Sequence, residues 1–260
     1  MSRSHKYNEF NYVTKRHKYY FCSMDPQEYL QNGEKYFLPN LSIDVVIIGY
    51  EKDQLKCLML KMGDKWMLPG GHIFRDESVE DATGRILLDR VGIQNPHMKF
   101  LSVFGKKDRK FHEEFRQYSV RMDVEWDDDS WMNDRFVTLA YYSLVDINKT
   151  HPVAGQLAEA VDWFDFEGLP EIWMDHHEIL DTARNRLKED VRKELITYNL
   201  LPSPFTMPEL HNLHQTILQE KIDRSRFQKK MLSSDLFERL PKLQKDSPGR
   251  NPYLYKLKSG

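Results

Sequence analysis

Residues 70–93 carry the side chains whose types and spacing could bind a phosphate. A glycine pair, Gly70 and Gly71, is followed by Glu77 and then by a helical segment that contains Arg85. A glycine loop that leads into a helix can hold an anion, because backbone N–H groups and the helix dipole point towards it. The segment therefore indicates phosphate chemistry, and a metal ion beside the phosphate would need oxygen ligands from the same helix.

One face of this helix is poor in the oxygen ligands that a metal ion would need. At about 100° per residue, positions 86, 89 and 90 lie within an arc of roughly 100°. Ile86 offers no ligand, Asp89 offers one carboxylate, and Arg90 adds a cation that repels a metal. One carboxylate with substrate phosphates can still hold Mg²⁺, and acids in HEEF, residues 112–115, could help. Efficient metal-dependent hydrolysis is therefore disfavoured, and Glu77 and Asp89 are the residual catalytic candidates.

The spacing of this segment resembles the Nudix box of the Nudix hydrolase family. From Gly71 it reads glycine, five residues, Glu77, seven residues, Arg85 and finally Gly92, and WMLPGG precedes it. In active members the helix face described above carries three glutamates that bind Mg²⁺ or Mn²⁺. The resemblance therefore implies a loop and helix that keep the family's frame and have lost two of its three metal-binding carboxylates.

The elements around the box predict a mixed sheet with helices over residues 40–195. Apolar, β-rich runs at residues 42–50 and 55–62 predict two antiparallel strands joined by the turn EKDQ. Asp175 and Glu178 have the spacing of a capping box at the start of a further helix. Other predicted elements are a helix over residues 77–91 and strands at 66–68, 100–105, 137–145 and 161–166. We predict an α+β chain that begins with a Nudix-like α/β/α sandwich.

Residues 200–260 predict a basic winged helix-turn-helix domain. Residues 201–260 hold 11 basic and 6 acidic side chains, whereas residues 1–200 hold 27 and 34, so the last segment is the part suited to a polyanion. Thr206 with Glu209 predicts a capped helix through Gln219, and Asp223 can cap the second helix, RSRFQKKMLS. Two strand-like pieces, LFERLPKL and PYLYKLK, then predict a β-wing.

The second helix of this domain has the composition of a DNA-reading helix. Phe227, Met231 and Leu232 are predicted to face the core, and the remaining polar side chains point outward. Arg and Gln can read base edges in a major groove, while Lys binds phosphate. A charged helix on a small protein–protein module is the alternative. The candidate DNA-binding residues are Arg224, Ser225, Arg226, Gln228, Lys229, Lys230 and, at the wing tip, Arg250.

The order of these parts resembles the Nudix-related transcriptional regulators of bacteria, over about residues 40–258. Residues 1–39 form an N-terminal extension outside the resemblance. Some of those regulators sense ADP-ribose and control NAD synthesis, and others sense sugars and control their catabolism. The resemblance implies a homodimer that binds a palindromic double-stranded DNA operator and a small effector, either a sugar or an ADP-ribose-type nucleotide.

The resemblance also suggests where an effector would bind. In the related regulators an Asp-x-Arg-like segment before the long strand touches the ligand, and Asp134-Arg135 or Asp108-Arg109 could be its counterpart. The candidate effector-binding residues are Arg75, Glu77, Arg85, Arg116 and Arg135. Glu77 and Arg85 could instead hold the loop to the helix. Segment 106–133 is long for a connection inside a compact domain, which predicts an added hairpin or a functional loop.

Composition excludes several other classes of protein. No apolar run approaches the roughly 20 residues of a membrane span, and the N-terminus lacks a signal-peptide core. Cys22 and Cys57 have no paired spacing, so we expect neither a disulfide nor a metal site. The missing membrane span and signal peptide predict a cytoplasmic protein without a membrane partner. Two alternatives to the regulator remain: a Nudix hydrolase of nucleoside-diphosphate compounds, with Mg²⁺ as its cofactor, and a sensor whose last domain recruits a protein.

Overall fold

A computed structural model of the protein describes residues 26–94, 97–155, 158–194, 200–244 and 251–258. The helices are α1 (Pro26–Asn32), α2 (Val79–Val91), α3 (His112–Arg121), α4 (His176–Glu194), α5 (Met207–Leu218) and α6 (Arg224–Ser233). The strands are β1 (Phe37–Glu51), β2 (Gln54–Met62), β3 (Lys65–Met67), β4 (Gly70–Phe74), β5 (Met98–Phe104), β6 (Val137–Leu144), β7 (Ala160–Asp165), β8 (Phe205–Thr206), β9 (Phe237–Lys242) and β10 (Tyr253–Leu257).

A mixed sheet of seven strands forms the centre of the first unit within the described residues. Its order is β3-β2-β1-β6-β5, with β4 paired to β1 and β7 paired to β2. Strands β1 and β6 are parallel, and the other pairs are antiparallel. Side chains alternate along β1, so that Val45 and Ile47 face α2 while Val46 and Ile48 face α4. The predicted α/β/α sandwich with a mixed sheet is confirmed.

The chain before residue 40 contributes to this unit. Strand β1 begins at Phe37, so the boundary placed between residues 39 and 40 falls inside a strand. On α1, Tyr29 and Leu30 are buried against Phe37 and Trp131. Residues 26–39 are therefore part of the folded unit, and the rest of the predicted extension, residues 1–25, lies outside the described residues.

Helices start where the patterns at Asp175, Thr206 and Asp223 predict them, but one of the predicted capping boxes does not form. Thr206 and Glu209 form the predicted capping box on α5, and Asp223 caps α6 by accepting a hydrogen bond from the Arg226 amide at 2.7 Å. The box predicted for α4 does not form, because the Asp175 carboxylate accepts hydrogen bonds from Arg109 instead. A buried arginine is the stronger partner for that carboxylate.

The second unit is a winged helix. Helices α5 and α6 pack beside a small sheet of order β8-β10-β9. The rings of His211 and His214 on α5 contact Phe227 on α6, with centroids 5.1 and 4.9 Å apart. The wing tip, with Arg250, lies outside the described residues. Across the part of the chain that the structure describes, no helix is both long and apolar enough to cross a membrane.

Candidate functional site

The box loop and α2 are joined by a buried ion pair. Glu77 accepts hydrogen bonds from Arg85 Nε at 3.0 Å and Nη2 at 2.5 Å, and also from the Phe74 amide at 2.7 Å. Arg85 Nη2 donates to the His72 carbonyl at 2.8 Å, and the two charged side chains are 2% and 6% exposed. These contacts match the structural alternative, in which Glu77 and Arg85 fasten the loop to the helix.

The three positions of the metal-binding face have diverged in different directions. Ile86 is buried in the core, and its Cγ1 would lie 3.1 Å from a Cβ placed on Gly71, so it fills the space beneath the loop. The Asp89 carboxylate is 5% exposed and lies 3.9 Å from Arg85 Nη1, on the side of α2 that carries the Glu77–Arg85 ion pair. Only Arg90 faces the adjacent pocket. In the described ranges, no group of three or more His, Cys, Asp or Glu side chains is placed to bind a metal.

The residues present therefore do not fit a divalent metal at this face. Mg²⁺ requires near-octahedral oxygen coordination, and a guanidinium in the pocket repels it. An apolar side chain and a carboxylate engaged with Arg85 leave the pocket side of the helix without the oxygen ligands that the Nudix mechanism uses.

A pocket opens between the sheet and α3, on the side of the box loop. Its walls are largely apolar and aromatic, and a smaller number of polar groups converge on them, which is the usual composition of a small-molecule site. The lining residues are Tyr29, Ser42, Asp44, Leu60, Met62, Met67, Gly70, Gly71, His72, Arg90, Arg109, Phe111, Glu114, Phe115, Tyr118, Phe136, Ala158, Trp173, Met174 and His176. We call this the effector pocket.

A buried charge network lies at the base of the effector pocket. Arg109 donates from Nε to Asp175 at 2.8 Å and from Nη2 at 3.1 Å, and the same Nη2 lies 3.5 Å from Asp44 Oδ2. His176 Nδ1 accepts from the Leu68 amide at 3.0 Å, so Nε2 carries the proton and lies 3.7 Å from Asp44 Oδ1. Two carboxylates therefore lie against the one guanidinium.

Both histidines of the effector pocket are held neutral. Burial lowers the pKa of His72 to about 3, and the nearby Arg90 and Arg85 act in the same direction. Burial also lowers the pKa of His176, against the opposing effect of Asp44. The permanent positive charges of the pocket lining are therefore those of Arg90 and Arg109.

The structure does not bring together the five residues first suggested for effector binding. Glu77 and Arg85 are committed to each other, and Arg75 is exposed and donates to the Glu34 carbonyl. Arg116 and Arg135 are exposed, and neither is among the residues that line the effector pocket. The candidate set therefore moves to the arginines that do line it.

Of the two candidate segments, Asp108-Arg109 places its arginine in the pocket lining, whereas Asp108 is exposed and neither Asp134 nor Arg135 lines the pocket. Arg90 was noticed in the sequence only as a residue that repels a metal, and Asp44 was not singled out. One signal could have identified Asp44: it is the only charged residue in the apolar strand segment SIDVVIIGY. A carboxylate buried in such a strand needs a cationic or hydrogen-bonding partner.

Segment 106–133 contains a helix and not the hairpin that was one of its two predicted structures. Helix α3 and a 3₁₀ turn at Trp131–Asn133 occupy it. Phe115 and Tyr118 from α3 line the effector pocket, so the alternative prediction of a functional loop describes its position better. Burial raises the pKa of Tyr118 to about 12, which keeps its hydroxyl neutral beside Arg90.

The second unit presents a basic helix face to solvent. Phe227 and Met231 are buried as predicted, whereas Leu232 is 47% exposed, so its predicted core position is wrong. On the wing, Arg239 and Lys242 lie over the Tyr253 ring at 4.6 and 5.2 Å, which adds two cations that sequence reasoning missed. The predicted DNA-binding residues on α6 are all exposed: Arg224, Ser225, Arg226, Gln228, Lys229 and Lys230.

Helix α4 connects the effector pocket to the winged helix. Its first residue, His176, lines the pocket, and Leu187 and Val191 share a core cluster with residues of α5. Lys188 Nζ donates to Gln219 Oε1 at 2.6 Å, and Arg192 lies 3.5 Å from Glu220. A helix of 19 residues spans about 28 Å at 1.5 Å per residue, so this single helix contacts both the effector pocket and the winged-helix unit.

Comparisons with known proteins agree with this two-unit architecture. A model of the NUDIX domain matches residues 39–191, and a model described as NrtR DNA-binding winged helix domain matches residues 197–257. The chain is 25% identical over 223 residues to the ADPR responsive transcriptional repressor NtrR of Acinetobacter baylyi, covering 82% of this chain and 80% of the relative.

Solved structures show the same arrangement. Shewanella oneidensis NrtR in complex with a 27mer DNA is 25% identical with a TM-score of 0.67, covering 84% of this chain and 93% of that one. A MutT/nudix family protein from Enterococcus faecalis is 24% identical with a TM-score of 0.63, covering 99% and 100%. The second likeness concerns the fold alone.

Proposed function

The chain belongs to the Nudix family and carries an NrtR-type winged helix, and from this premise we propose that it is a DNA-binding transcriptional regulator whose Nudix domain senses a small effector. The observation that carries the proposal is the chain of packed helices that runs from the effector pocket through α4 and α5 to the solvent-facing basic helix α6. A metal face that no longer fits Mg²⁺ also supports binding in place of hydrolysis.

We propose an ADP-ribose-type nucleotide as the effector and repression as the mode of action. The Acinetobacter relative supports both, because that protein is an ADPR responsive transcriptional repressor. The aromatic walls and the two arginines of the effector pocket supply stacking surfaces and positive charge, which a nucleotide diphosphate can use. A free sugar is the second candidate, and the two are separated by which of them releases the protein from its operator.

The regulator would act as a homodimer on a palindromic operator. A twofold dimer must place its two α6 helices about 34 Å apart to enter successive major grooves of one DNA face. An effector can change operator affinity only if it binds one dimer arrangement better than the other. The proposed role of ADP-ribose is therefore to favour the arrangement in which this spacing is wrong.

Fluorescence anisotropy with labelled duplexes tests the proposal. The purified protein should bind an operator from its own promoter regions with an affinity that falls steeply with salt. ADP-ribose should release that duplex, and ribose or arabinose should not. If only a free sugar releases the duplex, the effector is a sugar, and the proposal of a DNA-binding regulator stands. If the protein binds no duplex, the DNA-binding function is rejected.

The same protein preparation tests the hydrolase alternative. Incubation with ADP-ribose and Mg²⁺ should give no turnover approaching 1 per second, the low end of typical enzyme rates. Turnover at that rate with no duplex binding would make the chain an enzyme. Co-purification of a protein partner without DNA affinity would instead favour the sensor that recruits a protein.

Asp175 offers a test of how the two sites communicate. Arg109 lines the effector pocket, and Asp175 directly precedes α4, so their ion pair joins the pocket to this helix. Asp175→Asn keeps the shape of the side chain and removes the charge that binds Arg109. Allosteric coupling is typically worth about 1–3 kcal/mol. We expect the ratio of operator affinities without and with saturating ADP-ribose to fall at least threefold, measured by anisotropy.

Glu178→Gln is the matched control for this variant. It removes the same charge one turn along α4, from an exposed pair with Lys106 at 2.7 Å, and should leave the ratio unchanged. If Asp175→Asn retains the wild-type ratio while it is saturated with ADP-ribose, the Arg109–Asp175 pair is not part of the communication route.

A further inference from the structure

The metal-binding face of α2 has not simply lost charge. Of its three positions, Ile86 has joined the core and Asp89 lies against Arg85, while Arg90 lines the effector pocket. The side of the pocket that would present a divalent cation to a diphosphate therefore presents a guanidinium. This is a replacement of one positive group by another.

We propose that the Arg90 guanidinium takes the place of the divalent metal as the counter-ion for a phosphate group of the effector, so that the pocket binds a diphosphate-bearing nucleotide without Mg²⁺. The inference rests on the proposed function, since it concerns the same pocket. It assigns to Arg90 a contact with the phosphate and predicts that binding is independent of divalent metal.

The position of Arg90 is suited to this contact. Its Nε donates to the Gly70 carbonyl at 3.0 Å, which fixes the plane of the guanidinium against the box loop. The Arg90 side chain also hydrogen-bonds the Tyr29 side chain. A guanidinium carries five N–H donors, and its planar fork matches the geometry of phosphate oxygens. Tyr29, Phe115 and Tyr118 form nearby apolar walls that lower the local dielectric and strengthen such a pair.

The charged side chains of the effector-pocket lining are two arginines and two acids. Arg109 is held by two carboxylates, Asp44 and Asp175. Glu114 is a half-buried acid of the same lining. Because burial keeps His72 and His176 neutral, Arg90 and Arg109 are the cations of the lining that a phosphate group can meet.

Isothermal titration with ADP-ribose, in EDTA and in Mg²⁺, tests the inference. The wild-type dissociation constant should agree within twofold between the two conditions. Arg90→Gln should raise it at least tenfold in both, and Arg90→Lys should raise it less, because the charge remains. The affinity of Arg90→Gln should also depend less on salt than that of the wild type, a change that a structural role alone would not produce.

Arg121→Gln provides the matched control. It makes the same substitution on α3, at a surface arginine paired with Asp64, and should leave ADP-ribose affinity unchanged. Binding that requires Mg²⁺, or Arg90→Gln with wild-type affinity and salt dependence, would overturn the inference while the regulator with its ADP-ribose effector stands. If operator binding is intact but ADP-ribose does not bind the wild type in either condition, the proposed effector itself fails.

Discussion

Replacing Arg85 by alanine should lower the free energy of unfolding by about 3–5 kcal/mol, the usual cost of removing one partner from a buried ion pair. The substitution leaves the Glu77 carboxylate, 2% exposed, without the guanidinium that donates to it twice. It also removes the hydrogen bond from Arg85 to the His72 carbonyl, so neither Glu77 nor His72 remains bonded to α2 through Arg85. Urea denaturation followed by circular dichroism measures the change.

Arg75→Ala is the control for this prediction. Arg75 is exposed on the same loop, and its loss should cost less than about 1 kcal/mol, as is usual for surface positions. The double variant Glu77→Gln with Arg85→Ala should be less destabilised than the sum of the two single variants, because each removes a group that the other leaves unpaired. Equal effects of Arg75→Ala and Arg85→Ala would show that the pair is not structural.

Lys229→Glu should weaken operator binding by about ten- to a hundredfold, the equivalent of one to two steps of 1.4 kcal/mol. Lys229 is exposed on α6, on the same helix face as Ser225 and Arg226 and opposite the buried Phe227. A lysine on that face would contact phosphate, and a carboxylate in its place would repel the DNA backbone. The slope of log affinity against log salt should fall by about one unit for each lost phosphate contact.

Lys149→Glu makes the same change of net charge away from the winged helix. Lys149 is 67% exposed in a 3₁₀ turn that follows β6, and its substitution should change operator affinity less than twofold. If both variants weaken binding equally, the effect is one of net charge alone. If neither does, α6 is not the DNA-reading helix, and the wing residues Arg239 and Lys242 become the first candidates.

Local sequence patterns predicted much of the secondary structure. The β-rich apolar runs predicted β1 and β2, and the Thr206–Glu209 and Asp223 caps predicted the starts of α5 and α6. Such signals depend on residues within one turn or one strand, so they can be read without knowing the rest of the chain. The Asp175 cap failed because a distant residue, Arg109, was a better partner than the local amides.

The sequence by itself determined the two-part organisation, the absence of a carboxylate at positions 86 and 90 of α2 and the basic composition of α6, because each depends on residue types at fixed local spacing. Only the tertiary structure decided which arginines face the effector pocket. Its lining converges from residues as far apart as Tyr29 and His176. The direction in which Arg85, Arg90 and Arg109 point depends on which carboxylates and carbonyls packing brings within reach, and helical periodicity carries no information about those partners.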